Sequence, residues 1–182
     1  MEEQKFRVNL RVAHPLYVDM AYAILPMYRF DSQGDYADAA TLLLDFPLTW
    51  SLKELNRMTI HERARTVVFT TAKNHVYLDA IAGFHVSGIL IPERSGFLTA
   101  ALYSAAFAMR TYARGTDLTP TELRLVRLLL SGLETKEMAE VMGVSPKTVN
   151  AHFSNILQKL NLPSRQHIFA NLLEPEPEPI SL

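Results

Sequence analysis

The 182-residue chain contains no cysteine. That excludes a disulfide framework, a thiol nucleophile and any Cys-ligated zinc or iron–sulfur site. It also lacks an apolar run of the roughly 18–20 residues that a membrane-spanning helix needs. The opening, Met1-Glu2-Glu3-Gln4-Lys5, is not the basic-then-apolar order of a signal peptide. A soluble, cytoplasmic protein with no membrane partner is therefore expected. An excess of positive charge is missing too: the formal net charge is −1. Any positive surface must be local. The six histidines show neither HxxxH nor HExxH spacing, so metal binding has little support. There is no Gly-rich phosphate loop and no nucleophile–base pair. The expectation is a protein without a cofactor that is not an enzyme.

What is present is enough apolar material for a core. Hydrophobic residues make up 48% of the chain and charged residues 20%, which argues against disorder. The first part alternates in type. Phe6 to Val12 reads as a strand, and His14-Pro15 as a turn into a helix from Leu16 to Tyr28. Pro26 should end or kink that helix. Ala40 to Leu44 is an apolar run stopped by Asp45 and Pro47, which fits a buried parallel strand. Lys53 to Arg63 reads as a helix, Thr66 to Thr70 as a strand, Asn74 to Gly83 as a helix and Val86 to Ile91 as a strand. A long helix is expected from Phe97 to Thr111. Its Phe97, Tyr103 and Phe107, with Tyr112 beyond, are either core or cover for a partner. Alternating strand and helix predicts a doubly wound parallel α/β sheet.

The segment 112–117 reads as a linker between a domain at 1–111 and an all-helical domain at 118–173. Four helices are expected there: Pro120–Ser131, Thr135–Met142, Pro146–Leu160 and Arg165–Leu173. The end, 174–182, with its Glu-Pro repeats, reads as an extended, solvated tail.

Helix-start chemistry is dense in the second domain. Thr119, Pro120 and Glu122 give an N-cap, a proline at N1 and a capping-box partner. Gly143-Val144-Ser145 is a three-residue turn, with Gly143 suited to a left-handed position and Ser145 to a cap. Helix, short Gly-containing turn and capped helix form the helix-turn-helix pattern. Along Pro146–Leu160, Val149, Phe153, Ile156 and Leu160 recur at helical spacing and should face inward. Lys147, Asn150, Ala151 and Ser154 recur on another face. A lysine, an amide, a methyl and a hydroxyl can reach base edges in a major groove. Thr119, Lys136, Thr148, His152, Lys159 and Arg165 are candidates for phosphate contacts.

From Leu118-Thr-Pro-Thr-Glu122 through Gly132-Leu-Glu-Thr-Lys136-Glu-Met-Ala139, Gly143-Val-Ser-Pro-Lys-Thr-Val149, His152, Ile156, Lys159-Leu160 and Ser164-Arg165, the last third of the chain resembles the LuxR/FixJ/GerE family. The resemblance implies a four-helix module whose third helix enters the major groove of double-stranded DNA. It implies that the fourth helix pairs two subunits, here through Ile168, Phe169 and Leu172. Two modules would read a two-fold-related site with half-sites about one turn of DNA apart. From Gly115 to Leu173 six basic residues face five acidic ones, a net of +1. Non-specific affinity comes from phosphate neutralisation, so weak DNA binding by the isolated module is expected.

Phe6 to Leu16 resembles the opening of a response-regulator receiver domain of the same family. The resemblance places Val12 and Ala13 where an acidic pair stands in the family. It places Asp45 at the phosphoacceptor position, Thr71 at the hydroxyl position and Pro92 where a lysine stands. The span from His14 to Asp45 is short, so a reduced or missing second helix is expected around Asp31–Asp38. Aspartyl phosphorylation needs Mg²⁺, and Mg²⁺ wants several oxygen ligands. Asp45 alone supplies one carboxylate, so a degenerate, phosphorylation-independent receiver is expected.

Three readings remain open at this stage. One is a dimeric, sequence-specific transcription regulator. Another is an auxiliary protein acting by homo- or heterodimeric pairing with another regulator, with RNA polymerase a further candidate partner. The third is a phosphorylated switch using Asp45.

Overall fold

The computed structural model describes residues 7–24, 29–31, 39–110 and 116–170. They fall into two compact units.

The first unit takes Met1–Thr71 and Phe84–Ala113. Its centre is a five-stranded parallel sheet of β1 (Arg7–Arg11), β2 (Arg29–Asp31), β3 (Ala40–Leu44), β4 (Thr66–Phe69) and β5 (Gly88–Leu90), in the order β2-β1-β3-β4-β5. This is the flavodoxin-like 2-1-3-4-5 order of doubly wound sheets. Register is direct: Leu42 pairs with Leu10 on β1 and with Val67 on β4. All five residues of β3 are buried, which explains its unbroken apolar sequence, since a central parallel strand is covered on both faces. α1 (Leu16–Ile24) and α5 (Leu98–Ala106) contribute Ala21, Leu98, Leu102 and Ala105 to one core with Leu10, Leu42 and Phe69.

Three departures from the expected elements have local causes. β2 was not anticipated, because three residues at a sheet edge carry too little pattern to read. The single helix expected over Lys53–Arg63 is two: α2 (Trp50–Arg57) and α3 (Ile60–Ala64). Thr59 breaks it by capping α3. Its hydroxyl and its N–H both donate to the Glu62 carboxylate, at 2.7 and 2.6 Å. These bonds to Thr59 hold Glu62 below the ordinary glutamate pKa, with Arg11 adding to the effect against the cost of burial. The Thr-x-x-Glu signature was in the sequence. The helix expected over Phe97–Thr111 ends at Ala106 and is preceded by a 3₁₀ segment, Pro92–Phe97. Ala108, at φ 54, turns the chain out of the helix. The expected stretch Asp31–Asp38 lies, beyond Asp31, outside the described residues.

The second unit takes Ala72–Gly83 and Arg114–Leu182. It holds α4 (His75–Ala82), α6 (Pro120–Leu130), α7 (Thr135–Met142), α8 (Pro146–Lys159) and α9 (Arg165–Ala170). The contiguous division drawn from the sequence, with boundaries at 111 and 118, keeps α4 with the sheet. In the structure α4 groups with α6 instead. Buried Asp79 on α4 accepts from the Thr116 N–H at 2.8 Å and from its hydroxyl at 2.5 Å. Gly83 ends α4 with an ordinary φ of −65. A Cβ there would meet Nη1 of Arg127 at 1.9 Å, so a side chain at 83 would require the Arg127 guanidinium to move. No helix among the described residues is long and apolar enough to cross a membrane.

Candidate nucleic-acid interface

The helix-turn-helix is built from its caps outward. Thr119 caps α6: its hydroxyl accepts from the Glu122 N–H, and its own N–H donates to Glu122 Oε2 at 2.7 Å. Pro120 fills N1. Glu134 caps α7, its N–H donating to Glu137 Oε2. Gly143 closes α7 at φ 69, the left-handed position. Ser145 caps α8, its hydroxyl accepting from the Thr148 N–H at 3.1 Å, with Pro146 at N1.

These caps set the rotation of α8, and its two faces separate as the spacing predicts. Val149, Phe153 and Ile156 are buried, together with Leu123, Val126 and Met138 of α6 and α7. Lys147, Asn150, Ala151 and Ser154 are all exposed. Asn155 and Gln158, which the sequence reading did not single out, are exposed as well. The Ser154 hydroxyl donates to the Asn150 backbone carbonyl at 3.1 Å, a local bond of the kind serines make along a helix.

The residues proposed for phosphates divide. Lys136 is exposed, and Thr148 and His152 are half-buried. Thr119 is exposed, but its hydroxyl is used as a cap. Lys159 has an internal partner: its Nζ lies 2.8 Å from Oε2 of Glu122, which is 4% exposed, and reaches the Asp117 carbonyl at 3.4 Å. Burial pushes the Glu122 pKa up, but the bonds from Lys159 and Thr119 outweigh it and hold the carboxyl below its ordinary value. Lys159 is thus first a counter-ion to a buried carboxylate. Arg165 lies over the Phe153 ring, 3.9 Å from its centroid, and donates to Thr135 Oγ1 at 3.0 Å and to Asn150 Oδ1 at 2.6 Å. Desolvation lowers its pKa. No sequence signal marked this three-way engagement, because it joins residues far apart in the chain.

The pairing surface needs a correction. Ile168 is 3% exposed and belongs to the interior of the second unit, while Phe169 is 42% exposed. A six-residue helix turns one face inward, and Ile168 falls on it. Leu172 lies outside the described residues.

The phosphoacceptor position is closed. Asp45 is fully buried. Its Oδ1 accepts from the Ser51 N–H at 2.9 Å and its Oδ2 from the Thr70 hydroxyl at 2.9 Å. The hydroxyl expected from Thr71 is therefore supplied by Thr70, the first residue after β4. Pro92 opens the 3₁₀ segment. Among the described residues no group of three or more His, Asp or Glu side chains is placed to hold a metal ion.

Comparison with known proteins agrees with this geometry. Residues 116–170 match the model of bacterial regulatory proteins of the luxR family. A Mycobacterium tuberculosis protein named as an HTH-type transcriptional regulator is 50% identical over 54 residues, 29% of this chain and 6% of that protein. The nitrate/nitrite response regulator protein NarP of Escherichia coli is 44% identical over 48 residues, 26% of this chain and 22% of NarP. The match thus spans only a small part of these relatives. RcsB from Salmonella enterica serovar Typhimurium, solved bound to promoter rprA, shares the fold at 17% identity, covering 93% of this chain and all of that one with a TM-score of 0.61. A structure of two RcsB dimers on two parallel DNAs gives 18% identity over 94% of this chain and a TM-score of 0.58. Residues 116–170 form a LuxR-family helix-turn-helix domain, in a chain whose sheet has the parallel α/β fold of response-regulator receivers.

Proposed function

We propose that this protein is a cytoplasmic, sequence-specific DNA-binding transcription regulator that acts as a dimer and does not depend on phosphorylation of Asp45. The observation that carries the reading is the division of α8. Its apolar face is sealed, while Lys147, Asn150, Ala151 and Ser154 stand in solvent on a helix capped by Ser145. Such a helix fits a major groove, where lysine donates to guanine, an amide reads a purine edge and a methyl meets thymine methyl. Lys136 and the α7 N-terminus suit backbone phosphates. Of the residues expected to pair a second subunit, Phe169 is the exposed one among those described. In this reading the protein binds and does not catalyse.

Phosphorylation independence is supported by the enclosure of Asp45, whose two oxygens already hold donors. Incubation of the full-length protein with acetyl phosphate and Mg²⁺ should leave its mobility on a phosphate-affinity gel unchanged. A shifted band that disappears in Asp45→Ala restores the switch reading.

The DNA reading is tested by gel shift with the full-length protein on genomic fragments. Asn150→Ala and Lys147→Ala should each weaken a sharp complex. A second reading, an auxiliary regulator that gains affinity by pairing with another transcription factor, is favoured by one observation. The module carries a net of only +1, and Lys159 and Arg165 have internal partners. Complexes that form only when a second regulator or RNA polymerase is added would select it.

A further inference from the structure

The second unit holds a cavity of about 470 Å³. Leu129, Leu133 and Met138 line it with apolar surface, Lys136 and Arg165 with two cations, and Glu134 with one opposing charge. Lys136 is exposed. Among the described residues the partners of Arg165 are neutral: the Thr135 hydroxyl, the Asn150 amide and the Phe153 ring. A guanidinium carries five N–H donors, so it has room for a carboxylate as well. Two cations beside three apolar side chains suit a ligand that is both acidic and apolar.

The chain carries such a segment. Beyond the described residues, Glu174, Glu176 and Glu178 alternate with Pro175, Pro177 and Pro179. The three glutamates take the net charge counted from Gly115 from +1 to −2. The tether is long enough. Arg165 is the first residue of α9, and six helical residues rise about 9 Å. The residues 171–178 can span up to about 26–29 Å, so Glu176 and Glu178 can return to the cavity. Proline presets φ, which lowers the entropy lost when the segment is held. We propose that residues 174–179 dock in this cavity of their own chain, glutamates on Lys136 and Arg165 and prolines on Leu129, Leu133 and Met138, and so compete with DNA for the same cations. A tethered segment faces its site at an effective concentration in roughly the millimolar range. The effect on DNA rests on the proposed reading of α8; the docking itself does not.

Two measurements on the full-length protein test it. The chain has no cysteine, so Leu133→Cys combined with Pro177→Cys introduces its only thiols. Mild oxidation of the dilute double variant should close a disulfide within one chain, seen as a faster band on a non-reducing gel. Adding Glu174→Gln, Glu176→Gln and Glu178→Gln should slow that closure severalfold. No disulfide, one formed only between two chains, or closure at the same rate in the glutamine variant overturns the docking. In the cysteine-free protein the same three glutamine substitutions should tighten DNA binding about tenfold in a gel shift. Pro175→Gly, Pro177→Gly and Pro179→Gly keep every charge and should also tighten it, by less. A gain confined to the glutamine variant marks general repulsion and overturns the proposal, as does equal affinity in all three proteins. If the disulfide closes as expected but none of the three proteins binds DNA, the docking stands and the DNA-reading proposal falls.

Discussion

Asp45, just past the end of β3, and Asn150, on α8, are both polar residues, yet their surroundings are opposite. Asp45 is fully buried, with a backbone N–H and a hydroxyl fixed on its two oxygens. Asn150 stands in solvent, with its oxygen held by Arg165 and its nitrogen directed elsewhere. A carboxylate built for chemistry must be reachable and must keep lone pairs for an incoming group. One that is enclosed and satisfied works as a structural pin, because a buried unsatisfied polar group is costly and a paired one is not. The carboxylate is closed to any incoming group, while the amide stays open to one.

Several substitutions can break or sharpen this contrast. The largest effect is expected from Phe153→Ala, which removes a buried ring and should cost about 3–5 kcal/mol of stability. Thermal melting will show it, and DNA binding will fall with the fold. Asp45→Ala strands the Ser51 N–H and the Thr70 hydroxyl and should cost about 1–3 kcal/mol. A melting temperature equal to wild type would mean that Asp45 is no pin. Asn150→Ala should leave melting unchanged while DNA affinity drops by about 1–3 kcal/mol, so the two carboxyl-derived side chains move different observables. Gly143→Ala meets no atom within 4 Å. It should cost only about 1 kcal/mol, the strain of a side chain in the left-handed region. The smallest effect is a pH dependence. Glu122 has a lowered folded pKa. Its stabilisation is therefore present above the ordinary glutamate value of about 4.3 and is lost as pH falls through the folded value. Glu122→Gln should flatten that acid limb in a pH-resolved denaturation series.

The legible parts of the molecule are those specified by neighbours in sequence. The caps at Thr119 and Ser145, the left-handed Gly143 and the two faces of α8 all follow from spacing within one helix or turn. So does the apolar run of β3, which a central parallel strand requires. The illegible parts depend on partners distant in the chain. Arg165 finds Asn150 and Thr135 at separations of 15 and 30 residues, and Lys159 finds Glu122 at 37. The grouping of α4 with α6 turns on Asp79 and Thr116, also 37 residues apart. Two misses were local and avoidable. Thr59 and Glu62 carried a cap in plain view, and Ile168 fell on the inward side of its own short helix.

Phe153 does double duty: most of its ring fills the interior, while Arg165 rests on one face of it. Selection acting on either property therefore feels the other. A search for altered target preference that varies position 153 will also collect thermolabile variants.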